Sequence, residues 1–440
     1  MNFSTASITG TKDDKSVPLG IKLSQILSRM RYQLLIGVVT GVIIPHLLLN
    51  GIPTNLGVWW NIYSPNIISS FIAMILGFLI FRKMSFLPGF SATSNVFPAF
   101  AISYGLIASI YFGLRLDVGR NLFLLSFLLL CLSQIITMFL LSKLHKPIIG
   151  IIPGGRSNWL FEAKNIDWVI FKDVTSAQNN PNLAIAADLR ADNLSPEWES
   201  YLAKEVLKGR RIYNAKQLAE SIMGRVQSRK LSENYDGHLT PDTVYEPAKL
   251  YCDVIAAIVA LIFLCPLLIL IAIMIKLEAQ GPILFIQERI GYRGKPFKMI
   301  KFRSMKILQE DAGNLQTDIT LLNDDRITKV GRFIRKTRID ELPQLINIIK
   351  GEMSWIGPRP ETCKLSEWYA EEIPYYSYRH ILRPGITGWA QVQQGHVTDI
   401  DAVTRKLEFD LYYIKHFSIW LDITIALHTV RIVLTGNGAK

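Results

Sequence analysis

Hydrophobic positions fall into long unbroken runs over the first third of the chain: residues 32–50, 62–81, 96–112 and 122–141. Each approaches the roughly 20 residues that cross a bilayer core, and none contains Asp, Glu, Lys or Arg. A soluble bundle would show a polar face on each helix, so the pattern predicts four transmembrane helices. Lys12, Lys15, Lys22, Arg29 and Arg31 precede the first run, which reads as a retained anchor. The loop 51–61 is uncharged, Arg82-Lys83 follows the second run, and Lys143 with Lys146 follows the fourth. Basic flanks stay on the cytoplasmic side, which predicts an N-in arrangement with everything after residue 141 cytosolic. Arg115 and Arg120, set against Asp117, are the exception, while Trp59 and Trp60 suit the outer interface.

A fifth apolar run, residues 250–277, is also long enough to span. Both of its flanks are basic, from Lys204 to Lys249 and from Arg289 to Arg338, and a crossing would place one of them outside. Pro266, after Cys265, removes a backbone donor and clashes with the preceding turn. The expectation is a re-entrant membrane helix with a sharp break at Cys265-Pro266; the alternative is a spanning helix with a tolerated proline.

Between these apolar regions the period changes. Short β-branched runs at 148–152, 168–171, 183–187 and 211–213 alternate with helical stretches at 196–207 and 216–223, the pattern of a small α/β Rossmann-like domain. Its Gly150-Ile-Ile-Pro-Gly154-Gly155 segment lacks the G-x-G-x-x-G spacing of a pyrophosphate loop, so a structural or regulatory role is favoured there. A polar linker, 227–247, follows. Beyond the fifth run, segments 283–289 and 296–302, joined by Gly291-Tyr-Arg-Gly294, read as a β-hairpin, followed by a basic helical region. Residues 409–434 are aromatic-rich and suit either a membrane-interface helix or a core helix. The predicted organisation is a four-helix transmembrane region at 1–146, the α/β domain at 147–226, the linker at 227–247, and a mainly α domain at 248–440 with a β-hairpin and a re-entrant helix at 250–277.

Composition narrows the partners. An apolar fraction of 50% and a net charge of +12 fit a membrane protein whose partners are anionic. The four cysteines lie far apart and show neither a disulfide framework nor a zinc spacing, which fits a reducing face.

Four clusters carry candidate chemistry. Lys301-Phe-Arg303 places cations at alternate strand positions, with Gln287, Arg289 and Lys295 upstream, and reads as a phosphate-facing strand or a solvated basic edge. Arg332, Arg335 and Lys336 share a helix face that suits substrate or lipid headgroups. Asp340-Glu341-Leu342-Pro343 sets two carboxylates at a helix start, which is also ordinary capping. Because adjacent helical residues point apart, a joint role requires non-helical geometry or a metal between them. In Gly357-Pro358-Arg359-Pro360 two prolines fix the backbone around one guanidinium, and Arg383-Pro-Gly385-Ile-Thr387-Gly-Trp389-Ala-Gln391 follows; turn chemistry alone is the other reading.

In this order these segments resemble the bacterial sugar transferase family, the monotopic phosphoglycosyl transferases or polyprenyl-phosphate hexose-1-phosphate transferases. The matching text is Gly281-Pro-Ile-Leu-Phe-Ile-Gln-Glu-Arg-Ile-Gly291, Lys301-Phe-Arg-Ser-Met305, Arg326-Ile-Thr-Lys-Val-Gly-Arg332, Asp340-Glu-Leu-Pro-Gln344, Gly357-Pro-Arg-Pro360 and the Arg383–Gln391 motif. The resemblance covers roughly residue 245 to the C-terminus, and the preceding part looks like the extension of the family's large members. It implies a magnesium-dependent transfer of hexose-1-phosphate from a UDP-hexose, glucose or galactose, to undecaprenyl phosphate, releasing UMP. The setting would be exopolysaccharide, capsule or O-antigen synthesis at the bacterial inner membrane, with the catalytic domain on the cytosolic face. Asp340 would attack phosphorus to form a covalent phosphosugar intermediate, and Glu341 would help hold the metal or assist the acceptor, so both are expected metal ligands. Arg359, Lys301, Arg303, Arg383 and Arg335 are the expected phosphate-binding residues. Expected partners are the two substrates, inner-membrane phospholipids and a second copy in a homodimer, with no nucleic acid. Two departures are Cys265-Pro266 in place of the family's Ser-Pro and Asp325 where proline is common. A nucleotide-sensing channel would line its spans with ionisable groups, of which His46 is nearly alone. A non-catalytic scaffold would not need the acid pair.

Overall fold

The structure, a computed structural model, describes residues 27, 29–51, 56–84, 92–115, 119–144, 148–155, 157–163, 166–191, 194–228, 241, 244–278, 280–305, 326–395 and 399–435. Lys12, Lys15, Lys22, Asp117, Lys146, Asp325, most of the linker and the side chains of Trp59 and Trp60 lie outside the described residues. The chain forms two compact units, Met1–Gly224 and Arg225–Lys440. It is mostly helical, with small sheets, and among the described residues five helices are long and apolar enough to cross a membrane.

Four of those helices belong to the first unit: α1 (Met30–Asn50), α2 (Leu56–Met84), α3 (Val96–Gly113) and α4 (Arg120–Leu144). They extend the four predicted apolar runs by at most a few residues at each end, apart from the longer N-terminal turn of α2. Small and polar residues bring the helices together. Gly77 lets Phe100 of α3 pack on α2, since a Cβ there would lie 2.3 Å from the Phe100 ring. A wide turn of α1, Val39–Ile43, leaves the Gly41 carbonyl to accept from Ser126 of α4. Such wide turns free backbone groups that a neighbouring hydroxyl must satisfy.

The remainder of that unit contains a parallel sheet in the order β2-β1-β3-β4, with β1 (Ile148–Ile151), β2 (Asp167–Ile170), β3 (Ala184–Ala187) and β4 (Ile212–Asn214). Both faces are covered, as parallel sheets require. Ile149 and Ile151 pack with Leu218 on one side, and Ile185, Phe171 and Leu202 pack on the other. The helices are α5 (Val174–Gln178), α6 (Pro196–Leu207) and α7 (Ala215–Met223). In the glycine segment after β1, Gly155 (φ 53°) lies against the Asp188 carboxylate, which would be 2.5 Å from a Cβ there. An acid therefore faces the place where a phosphate would need donors.

The second unit is built on α8 (Tyr245–Glu278) and a hairpin of β5 (Leu284–Ile290) and β6 (Pro296–Phe302), in register from Leu284↔Phe302 to Ile290↔Pro296. The helix continues through Pro266 instead of ending there; a proline removes one bond from the ladder, and packing on both sides of it holds the element together. N-terminal to Pro266, Ala257, Ala260, Leu261 and Leu264 pack with Phe297, Met299, Leu345, Ile348 and Met353. C-terminal to it, Leu267, Leu268, Ile271, Ala272 and Ile275 pack with Phe302 and Ile334. The polar end of α8 is also anchored: Lys249 bridges Asp253 at 3.2 Å and Asp422 at 2.9 Å.

After the hairpin come α9 (Lys329–Lys336), α10 (Leu345–Ile349), β7 (Ser354–Ile356), α11 (Cys363–Glu372), β8 (Gly385–Thr387), α12 (Trp389–Gln394), α13 (Ile400–Lys415) and α14 (Ile419–Thr435). Strands β7 and β8 pair in parallel, Ser354 with Gly385 and Ile356 with Thr387. The aromatic run 409–434 is thus divided between α13 and α14, and Tyr412, Tyr413, Phe417, Leu421 and Ile425 are buried in the domain core.

Candidate active site

The acid pair sits in a tight 3₁₀ segment, Ile339–Gln344, between α9 and α10. Arg338, just before it, adopts a left-handed conformation (φ 60°) that reverses the chain out of α9. A non-glycine residue there is strained by roughly 1–3 kcal/mol, and the surroundings hold it. Pro343 lies inside the segment, two residues before the helix Leu345–Ile349, instead of in a first turn as the sequence suggested. Leu345 and Ile348 then bury against Phe297 and Met299. The acids are thereby tied to the strand that carries Lys301.

Tight winding turns the two carboxylates toward different surroundings. Glu341 is 5% exposed. Its Oε1 lies 3.0 Å from Arg359 Nη2, 3.5 Å from Arg338 Nη1 and 3.6 Å from Lys301 Nζ. Burial alone would raise the Glu341 carboxyl, but Arg359, Lys301 and Arg338 outweigh it and hold it at about 2. Asp340 is half-buried, and its Oδ1 is enclosed with no hydrogen-bond partner. Burial, then the Glu341 charge, push Asp340 up to about 6 against Lys301, Arg338 and Arg335. Lys301 is pushed down to about 8 by burial and by Arg359, against the pull of Glu341.

The sequence-predicted residues divide accordingly. Lys301 and Arg359 meet Glu341, and Arg335, half-buried on α9, bears on Asp340, while Arg332 and Lys336 of the same helix stay exposed. Arg303 is buried and donates from Nη1 to the Gln280 carbonyl at 2.7 Å. Arg383 donates to Glu246 Oε1 at 2.8 Å and to the Gly351 carbonyl at 3.1 Å, and stacks over the Tyr292 ring at 4.4 Å. These contacts of Arg303 and Arg383 are to Gln280, Glu246, Gly351 and Tyr292.

Residues that sequence reasoning missed are Arg338 and a buried cluster behind Arg359. In that cluster Lys406 Nζ donates to Glu361 Oε1 at 2.5 Å, and Arg379 Nη2 meets Asp410 Oδ2 at 2.8 Å. Burial would raise Glu361, but Lys406 and Arg379 hold it at about 2. Glu361 directly follows the Gly-Pro-Arg-Pro motif, which was its only signal; Arg379 and Asp410 had none. Among the described residues no three or more His, Cys, Asp or Glu side chains form a metal cluster. The enclosed, unpartnered oxygen of Asp340 next to Glu341 nevertheless fits an ion such as Mg²⁺, which takes one or two carboxylates and completes its shell with substrate phosphates and water.

An acid with one enclosed, unpartnered oxygen beside one neutralised by guanidinium and ammonium groups, in a domain built on an apolar helix, defines a membrane-associated enzyme that handles phosphate esters. Comparison with known proteins narrows that class. Residues 244–436 match the family described as "Bacterial sugar transferase". The chain is 38% identical over 374 residues to the UDP-N-acetylgalactosamine-undecaprenyl-phosphate N-acetylgalactosaminephosphotransferase of Aeromonas hydrophila, covering 84% of this chain and 87% of that protein. It is 44% identical over 180 residues to the UDP-glucose:undecaprenyl-phosphate glucose-1-phosphate transferase of Escherichia coli (strain K12), covering 40% of this chain and 38% of that one. It is also 39% identical over 205 residues to the galactosyl transferase CpsE of Streptococcus agalactiae serotype III (strain NEM316), covering 44% and 43%. The chain belongs to the bacterial sugar transferase family of polyprenyl-phosphate hexose-1-phosphate transferases; it is a phosphoglycosyl transferase.

Proposed function

We propose that this enzyme transfers hexose-1-phosphate from a UDP-hexose to undecaprenyl phosphate with release of UMP, the initiating step of exopolysaccharide, capsule or O-antigen synthesis. The observation that carries the reading is the unpartnered Oδ1 of Asp340 among Lys301, Arg335, Arg338 and Arg359. Asp340 attacks the phosphorus bearing the sugar: an aspartyl O–P bond forms, the bond to the bridging oxygen breaks, and UMP leaves with that electron pair. An oxygen of the lipid phosphate then attacks the same phosphorus and expels the Asp340 carboxylate. A carboxylate approaches a diphosphate only where cations offset the charge. Lys301, Arg335 and Arg359 supply them, and Glu341 fixes Arg359 and Lys301 in place. Magnesium, when bound, adds neutralisation of the diphosphate, and Asp340 and Glu341 are the residues that would hold it. Splitting the transfer in two lets a soluble donor and a lipid acceptor use one site in turn.

The membrane arrangement belongs to the same reading: α1 to α4 span the inner membrane, α8 enters and returns by bending at Pro266 within its helical run, and the catalytic domain faces the cytosol. It is supported by the uncharged run in each helix and by packing of the catalytic domain along α8 on both sides of Pro266. UDP-glucose and UDP-galactose are the donors expected from the family. UDP-N-acetylgalactosamine is a second candidate, because the relative matched over 87% of its length is named for it.

In membranes given labelled UDP-sugar and undecaprenyl phosphate, Asp340→Asn should lower lipid-linked product by roughly 10³-fold or more, the scale seen when a nucleophile is removed. Near wild-type turnover would exclude the covalent mechanism. Screening the three donors against the wild type identifies the sugar.

A further inference from the structure

The segment that aims Arg359 carries two prolines, Pro358 and Pro360, which have no N–H to hold it in place. Its carbonyls do that instead, and all four are taken. Pro358 O accepts from Gly385 N at 3.1 Å and Glu361 O from Ile290 N at 3.0 Å. Pro360 O accepts from Arg289 Nη1 at 2.7 Å, and Arg359 O from Arg379 Nη2 at 2.8 Å. The last of these acts on the residue whose side chain meets Glu341.

Arg379 is 2% exposed, and it is held on every side. Its Nε and Nη2 reach Asp410 Oδ2 at 3.0 and 2.8 Å, and Nη1 donates to the Tyr376 hydroxyl at 2.8 Å. Asp410, on α13, is 1% exposed. An ion pair buried this deeply adds little net stability, because desolvation offsets most of the attraction. Two apolar side chains of similar volume would join α13 to the Tyr376–Ile381 turn as well, but they would leave the Arg359 carbonyl without a donor.

We infer that Arg379, locked by Asp410 and Tyr376, is a positioning residue for Arg359. It holds the Arg359 backbone so that the guanidinium meets Glu341 and the transferring phosphate, an inference that rests on the phosphotransfer reading above. Lysine at 379 keeps the charge but cannot serve Asp410, Tyr376 and the carbonyl in one plane. Displacing a charge-stabilising group acts on the transition state more than on donor binding.

The test uses the full chain in lipid nanodiscs, with undecaprenyl phosphate and whichever of the three UDP-sugars the wild type turns over. Arg379→Lys should lower kcat on the order of 10- to 100-fold while the donor KM changes by less than about threefold. Tyr376→Phe, which removes one oxygen and no charge, should give a smaller loss in the same direction and keeps the test open if the lysine variant does not accumulate. In an Arg359→Ala background either substitution should change the rate by less than about twofold, since both act through the group already removed. Losses that multiply in that background would overturn the positioning role, as would a KM effect without a kcat effect. A wild type that transfers none of the three sugars overturns the function itself, which is a separable result.

Discussion

At the scale of single residues, what distinguishes this site is that two adjacent carboxyls have been driven apart. Glu341, held at about 2, is a permanent anion that organises Arg359 and Lys301, whereas Asp340, raised to about 6, keeps an oxygen without a partner. The rate consequence has a definite sign. In the proposed mechanism attack needs ionised Asp340, so kcat/KM should rise as pH climbs through about 6; charge neutralisation needs protonated Lys301, so it should fall as pH climbs through about 8. The lipid phosphate also titrates near ~6, which makes the alkaline limb the cleaner test. Lys301→Arg, charged throughout this range, should keep part of the activity and move the alkaline limb upward. A limb that stays in place would remove Lys301 from the explanation. Asp340, Glu341, Lys301 and Arg359 were legible because each sits in a local motif. Arg303 and Arg383 occupy motifs of the same kind, yet their guanidiniums go to the Gln280 carbonyl and to Glu246. A long flexible side chain has a reach that its neighbours in sequence do not specify. Arg379 and Asp410 were illegible for the complementary reason: their partners lie 31 residues apart and meet only in the fold.

At the scale of elements, the site depends on backbone segments that approach too closely for any side chain. In the β7–β8 pair, a Cβ on Gly385 would lie 2.1 Å from Gly357 N and 2.5 Å from the Thr387 carbonyl, and one on Gly388 would lie 2.2 Å from the Gly357 carbonyl. Gly385→Ala must therefore spread the strands by moving backbone, which costs about 1–3 kcal/mol when a packed interior is overfilled. Because Gly385 N also holds the Pro358 carbonyl, the shift passes to Arg359. The expected result is a lower thermal unfolding midpoint together with a lower kcat, followed by calorimetry and by turnover in the same preparation. A variant with both values unchanged would show that the contact is not tight. Periodicity served well where elements are long and repeat a pattern: Pro196–Leu207 is found at its predicted bounds, and the hairpin is displaced by a single residue on one strand. It could not resolve three-residue strands such as β7 and β8, which show too little of a two-residue repeat. Nor could it find the turn between α13 and α14, where Lys415, His416 and Ser418 interrupt a run rich in aromatic and aliphatic residues.

At the scale of the whole molecule, the question is how α8 meets the membrane. A spanning helix needs roughly 30 Å of its length surrounded by lipid or by other membrane helices. Along α8, protein contacts recur at nearly every turn from Ala257 to Ile275, with Phe297, Met299 and Leu345 toward one end and Phe302 and Ile334 toward the other. These contacts come from the hairpin, α9 and α10, the elements that carry or adjoin Lys301, Arg335 and Glu341. Such charges are expensive at mid-bilayer. The opposite face of α8, with Ile255, Ile258, Val259, Ile262, Phe263, Ile269, Leu270 and Ile273, is exposed and apolar. The proposed arrangement, with both ends of α8 on one side, would turn that face to lipid and keep the charged domain out of mid-bilayer. The test replaces the four native cysteines and introduces single cysteines by Val244→Cys, Gln280→Cys and, in the uncharged stretch of sequence after α1, Thr54→Cys. In intact spheroplasts a membrane-impermeant maleimide should label position 54 alone, and positions 244 and 280 should both react once the inner membrane is permeabilised. Labelling at 280 without permeabilisation would mean that α8 crosses. The active site would then face away from the cytosolic nucleotide sugar, and the proposed donor would have to be abandoned along with the topology.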